Sequence, residues 1–157
     1  MSLEKAKEYL NGAGFGDRVI ELAASSATVD EAAAALGVEP GMIAKTMSFM
    51  TKDGPVLILA EGTARVDNQK FKAAFACKAK MIPGAEVEEI IGHAPGGVCP
   101  FGINEGIRVY LDESLKSYET VYPAAGNDHS AVRLTVEELE KCSGSLGFVD
   151  VCKQAEA

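Results

Sequence analysis

The chain has no tryptophan and only two histidines, His93 and His129. Without Trp, recognition of bases or sugars by indole stacking is excluded. Its four cysteines, Cys77, Cys99, Cys142 and Cys152, show no CxxC spacing. With so few histidines, that leaves no pattern for a structural zinc site. Scattered cysteines and the lack of a signal-peptide pattern suit a reducing, cytoplasmic setting. No apolar run approaches the ~20 residues that cross a bilayer, so no membrane partner is expected. Basic residues are also in deficit: 15 Lys and Arg against 23 Asp and Glu give a net charge of −8. That balance argues against a protein that coats nucleic acid non-specifically.

What is present is an ordinary globular composition, 47% apolar and 24% charged, in 157 residues. That length fits one domain spanning 1–157, large enough to bury a core without metal or disulfide. Helix and strand signals alternate along it. Leu3, Ala6 and Leu10 share a helical face ended by Asn11-Gly12. Val19 to Leu22 reads as a short strand. Thr28-Val29-Asp30-Glu31 is a capping box opening an alanine-rich helix that stops at Gly37. Lys45 to Met50 alternates like a half-buried strand, Asp53-Gly54 signals a hairpin, and Pro55 to Ala60 reads as a central strand. Asp67 can cap a helix with Phe71, Ala74 and Phe75. A further helix carries Val87, Ile90 and Ile91 and closes at Gly92. Ile107 to Leu111 is another strand, with Asp112 capping a short turn. Thr120 to Ala124 and Ala131 to Leu134 read as two strands around a glycine-containing loop. Thr135 to Glu138 is a second capping box. Hairpin connections outnumber long crossovers, so the expected fold is α/β (α+β): a mixed, curled or barrel-like sheet with helices packed around it.

Charge is unevenly placed. Arg65, Lys70, Lys72, Lys78 and Lys80 are opposed only by Asp67, so residues 65–80 carry +4 and the remainder −12. Such a patch could hold a few phosphates on an acidic body, or be a solvated helix face.

The segment Gly92 to Gly102 holds four glycines and two prolines in eleven residues. Glycine lets a ligand approach the backbone, and proline stiffens it. The combination describes a rigid surface of N–H groups suited to an anionic oxygen or a carbonyl. It lacks the Gly-Lys-Ser/Thr ending of a phosphate loop and the spacing of a dinucleotide fingerprint.

Gly96-Gly97-Val98-Cys99-Pro100-Phe101-Gly102 resembles the GGVxPFG loop of the YbaK/EbsC family, whose fold is shared with the editing domain of bacterial prolyl-tRNA synthetases. Thr28 to Ala33 with Leu36-Gly37-Val38, Ile43 to Met47, Val56 to Ala60, Arg65-Val66-Asp67 with Lys70-Phe71, and Val109 to Leu115 follow the family pattern in order. The resemblance spans about residues 25–139. It implies a freestanding deacylase that hydrolyses the ester of mischarged aminoacyl-tRNA, without metal, cofactor or covalent intermediate, and with help from the substrate's own ribose hydroxyl. Candidate substrates are small amino acids such as Ala, Cys or Ser, on tRNA-Pro. Partners implied are the aminoacyl-tRNA acceptor end and prolyl-tRNA synthetase.

Carried onto this chain, the resemblance makes Lys45 the signature active-site residue, in a positioning or electrostatic role. Backbone N–H groups at Gly97 and Val98 are placed to polarise the ester carbonyl. Gly96, Cys99, Pro100 and Phe101, with Gly126, Asn127 and His129 of the second glycine-containing loop, are the expected substrate contacts. Asn127, Asp128, His129 and Ser130 stand where relatives carry other polar groups. Arg65, Lys70 and Lys72 are the expected tRNA contacts. Two other readings stay open: a cysteine hydrolase with Cys99 as nucleophile and His93 or His129 as base, and a module that binds aminoacyl-tRNA or a synthetase without catalysis.

Overall fold

The computed structural model describes residues 2–154. Its central element is a four-stranded mixed sheet. Strand β2 (Ala44–Thr51) runs antiparallel to β3 (Gly54–Glu61), which is parallel to β5 (Arg108–Asp112), itself parallel to β9 (Phe148–Val149). The Lys52-Asp53 turn joins β2 to β3, with Gly54 at φ 112°. Three two-stranded ribbons surround this sheet: β1 (Val19–Glu21) with β7 (Ser130–Val132), β4 (Ala64–Val66) with β10 (Cys152–Gln154), and β6 (Thr120–Val121) with β8 (Leu134–Thr135), all antiparallel. The mixed sheet and its outer helices agree with the fold expected. The strands curl without closing into a barrel.

The apolar run in β3 explains why it is central. Val56 to Ala60 are each fully buried. Their side chains alternate between two faces, and both faces are covered. Leu57 and Leu59 join Val109, Leu111, Leu115 and Leu139 in the larger core. Val56, Ile58 and Ala60 join Phe49, Phe71 and Val151 in the smaller one. Helix α3 (Asn68–Phe75) caps the second face, its start fixed by Asp67, whose carboxylate accepts from the N–H groups of Gln69 and Lys70 at 2.9 and 3.1 Å. Helices α1 (Ser2–Ala13) and α4 (Gly84–Ile91) contribute Ala6, Leu10, Val87 and Ile91 to the first core. No helix among the described residues is long and apolar enough to cross a membrane.

Helix α2 (Val29–Leu36) begins and ends where the sequence signals place it, at Thr28 and at Gly37 with φ 70°. The expected reciprocal cap forms only in half. The Thr28 hydroxyl accepts from Glu31 N–H at 3.2 Å, but the Glu31 carboxylate takes the hydroxyls of Thr28 and Ser25 instead of reaching the Thr28 backbone. Asn11-Gly12 does not stop α1, which continues to Ala13. The strand segments at 120–124 and 131–134 pair less simply than a hairpin: β6 pairs β8, while β7 crosses to β1.

Helix α5 (Val136–Cys142) has the complete box. Glu138 accepts from Thr135 N–H at 2.9 Å and also takes Arg18 through both oxygens, at 2.8 and 2.9 Å. Arg18 is the first cause of a Glu138 pKa lowered to about 2, below the 4.5 usual for a glutamate. A carboxylate with a depressed folded pKa stabilises the fold above its unfolded pKa and stops doing so as pH falls through the folded one. The pair lies near the surface, where solvent screening holds it to about 1 kcal/mol. Glu138→Gln is therefore expected to destabilise by about 1 kcal/mol at pH 7. That difference from wild type should shrink between pH 4.5 and 2, as read from urea unfolding midpoints. A difference constant over that range would place its origin elsewhere.

Candidate active site

A cleft of about 160 Å³ opens where the start of α2, strand β2 and the two glycine-containing loops meet. Its walls are small and apolar: Ala27, Ala32, Ile43, Ala44, Val98, Pro123, Ala124 and Ala131. Its polar groups come from Ser26, Thr28, Thr46, Tyr122 and Ser130. Neither a carboxylate nor an imidazole lines it among the described residues. Lys45 and Tyr122 are its ionisable side chains.

Strand β2 is an edge of the sheet, and its edge is closed at both ends. Ala44 N–H donates to the Tyr122 carbonyl at 3.1 Å. Further along, Ile82 N–H donates to Ser48 C=O at 3.1 Å, and Met50 N–H to Lys80 C=O at 2.9 Å. In an antiparallel pair alternate residues direct their backbone groups to the same side. Thr46 therefore turns its N–H and C=O to this edge, between the two closures and beside the cleft. Its hydroxyl is buried and has no hydrogen-bond partner. The sequence reading passed over Thr46, because only the strand register shows which backbone groups stay unpaired.

Lys45 is half-buried and pairs in register with Ala60. Its ammonium donates to the carbonyl of Ala64. That uses one of three N–H donors and leaves two. Burial pushes its pKa down, against the raising effects of Cys152 and Glu61.

The two glycine-containing loops touch backbone to backbone. A Cβ on Gly97 would lie 2.5 Å from both N and Cα of Asn127 and 2.6 Å from the Gly126 carbonyl carbon. Gly96 adopts φ 90°, a conformation that side-chain-bearing residues rarely take. Gly97 N–H donates to Ala94 C=O at 3.1 Å, so it is already engaged. Val98 N–H has no partner among the described residues, and Val98 lines the cleft while Gly97 faces away. The expected pair of donors is thus reduced to one, and Gly97 is in place for close packing.

Cys99, Pro100 and Phe101 are buried beneath the loop and line neither this cleft nor the one across the loop seam, so their side chains do not make the direct substrate contact expected of them there. The reason is apolar: Cys99 and Phe101 belong to the main core. The Cys99 thiol does adjoin His93, with Sγ to Nε2 at 3.5 Å, but both are completely shielded. Burial pushes the thiol up to about 12 and pushes His93 down. His93 Nε2 is also 2.6 Å from the Phe101 carbonyl, so the pair braces the loop. A thiol held neutral and dry is no nucleophile, which removes the cysteine-hydrolase reading.

In the second loop, Asn127 Oδ1 accepts from His129 N–H at 2.9 Å and from the Ser130 hydroxyl at 2.7 Å. His129 is exposed, its Nδ1 2.7 Å from Asp128 Oδ1. Neither Asn127 nor His129 lines the small cleft; Gly126, Asn127 and Asp128 line a larger one, about 540 Å³, on the far side of the loop seam. That second cleft brings Glu4, Glu88 and Asp128 against Lys5 alone, a poor setting for phosphate.

Of the expected tRNA contacts, Arg65 and Lys72 are exposed and make no ion pair among the described residues. Lys70 is already engaged, with Asp150 at 3.0 Å and the Cys152 carbonyl at 2.9 Å. No group of three or more His, Cys, Asp or Glu side chains among the described residues is placed to hold a metal.

The cleft, with alanines in its wall, thus lies beside a glycine seam on a mixed sheet. Residues 23–142 match the aminoacyl-tRNA editing domain, and the chain belongs to that family. It is 44% identical over 157 residues to YwhH, an uncharacterized protein of Bacillus subtilis strain 168, covering 99% of this chain and 100% of that one. It is 32% identical over 107 residues to the proline–tRNA ligase of Limosilactobacillus fermentum, covering 64% of this chain but only 19% of the ligase. A crystal structure of a protein assigned provisionally as a trans-editing enzyme for prolyl tRNA synthetase superposes with TM-score 0.87 at 35% identity, covering 97% of each chain.

Proposed function

We propose that the protein hydrolyses the ester of mischarged aminoacyl-tRNA in trans, removing a small amino acid from tRNA-Pro. The observation that carries this reading is the size and lining of the cleft: about 160 Å³, with alanine at five of its sixteen lining positions, and a free backbone edge at Thr46. A small side chain fits such walls, while the substrate's polar atoms can meet Thr46 and Ser130.

Water attacks the ester carbonyl carbon, the bond to the ribose oxygen breaks, and that oxygen takes up the proton. Val98 N–H is the donor available to the developing oxyanion, an interaction worth ~3 kcal/mol. With no carboxylate or imidazole on the cleft wall, the neighbouring ribose hydroxyl of the substrate relays the proton, accepting one from the water while passing its own to the departing ribose oxygen. Lys45 holds the terminal phosphate or ribose with its two remaining donors. The exposed cations Arg65 and Lys72 contact the acceptor end. Gly126 and Asn127 support the loop seam against Gly97, and Asn127 holds the His129 backbone.

Incubation with a panel of charged tRNAs tests this directly. Loss of alanyl, cysteinyl or seryl ester from tRNA-Pro well above the buffer rate is expected. Binding without accelerated loss for any acceptor would favour the non-catalytic module.

A further inference from the structure

A phosphate clamp emerges from a strand pairing that brings two distant parts of the chain together. Arg65 on β4 and Lys153 on β10 are direct register partners. In an antiparallel pair, opposite residues project from the same face with Cβ atoms about 5 Å apart, and like charges so placed repel. Both side chains are exposed, and neither forms an ion pair among the described residues. The charge of Asp67 reaches Lys153, though the two form no ion pair. Asp67 accepts two backbone N–H groups at the start of α3, and Glu61 accepts the Thr63 hydroxyl at 2.6 Å.

The position of the ribbon gives this repulsion a use. Ala64, the residue before Arg65, is the one whose carbonyl takes the Lys45 ammonium. The cationic pair therefore begins one residue from the side chain at the cleft. Lys153 lies beyond residues 23–142 that match the family, so β10 adds a charge from outside the matched segment.

We propose that Arg65 and Lys153 together bind the phosphodiester backbone of the RNA strand whose 3′ end enters the cleft. The inference rests on the proposed editing function for its ligand. Two cations at strand-pair spacing can flank one or two successive phosphates, and a bound phosphate removes the repulsion between them. Lys70, tied to Asp150 and Cys152, takes no part.

The test compares the full-length protein with its Arg65→Gln/Lys153→Gln variant in binding an uncharged acceptor-stem RNA hairpin, by fluorescence anisotropy across a salt series. At low salt the variant is expected to bind at least tenfold more weakly. The slope of log Kd against log salt should fall by about 1.4 to 1.8, corresponding to two phosphate contacts. Hydrolysis of an aminoacyl ester of a mononucleoside, too short to span the ribbon, should lose less of its kcat/KM than hydrolysis of aminoacyl-tRNA does. Thermal stability should hold or rise as the like-charge pair is removed. An unchanged salt slope overturns the clamp. So does an equal loss on the mononucleoside ester, which would mean that the substitutions disturb the cleft, or equally salt-sensitive binding of polyglutamate, which would mean an acidic protein partner. Should wild type hydrolyse no charged tRNA, the editing reading falls while the hairpin slope still judges the clamp.

Discussion

Lys45→Ala is expected to lower kcat/KM for aminoacyl-tRNA hydrolysis about 100-fold, the order set by one charged contact worth ~3 kcal/mol in a partly desolvated site. The fold should survive. Lys45 sits on the edge strand, and its one internal partner is a backbone carbonyl that water can reach once the side chain is gone. The division of the loss between constants is informative. A rise in KM alone assigns Lys45 to holding substrate, whereas a fall in kcat assigns it to the transition state. A variant as fast as wild type would remove Lys45 from the site.

Gly97→Ala is expected to be as damaging, by a different route. The added methyl would meet three backbone atoms of Gly126 and Asn127 within 2.6 Å, and backbone cannot swing aside as a side-chain end can. The two loops must part, at a cost of about 1 to 3 kcal/mol in stability, as for other overpacked sites. Because Val98 follows directly, its N–H is displaced as well, and kcat should fall at least tenfold beyond any change in the folded fraction. Thermal unfolding and single-turnover hydrolysis read the two effects separately. Normal stability with normal turnover would show that the seam has slack. Gly96, by contrast, has a Cβ's nearest neighbours at 3.5 Å, so substitution there strains φ without forcing the loops apart.

These residues also mark how far local reasoning reached. Capping, hairpin and strand signals placed α2, α3, α5, the β2–β3 turn and β3 with small shifts at their ends, because each depends on neighbours within a few positions. β4, β9 and β10 escaped. They are only two or three residues long, too short to carry a period, and they form because distant strands offer edges to pair with. The glycine-rich loop was legible as unusual, but not its two sides. Nothing local distinguishes Val98, facing the cleft, from Cys99, facing the core, since that choice depends on what packs beneath.

The amino-acid order by itself determined the mixed α/β character, the central strand, the helix starts and the loop that carries the family resemblance, all of which rest on short-range geometry and apolar spacing. Only the tertiary structure decided that Cys99 and His93 are a dry brace, that Gly97 is a contact surface, that Lys70 is already engaged and that Lys153 stands opposite Arg65. Each of those depends on which remote backbone or charge arrives beside the residue, and burial and pairing of that kind are properties of the packed chain alone.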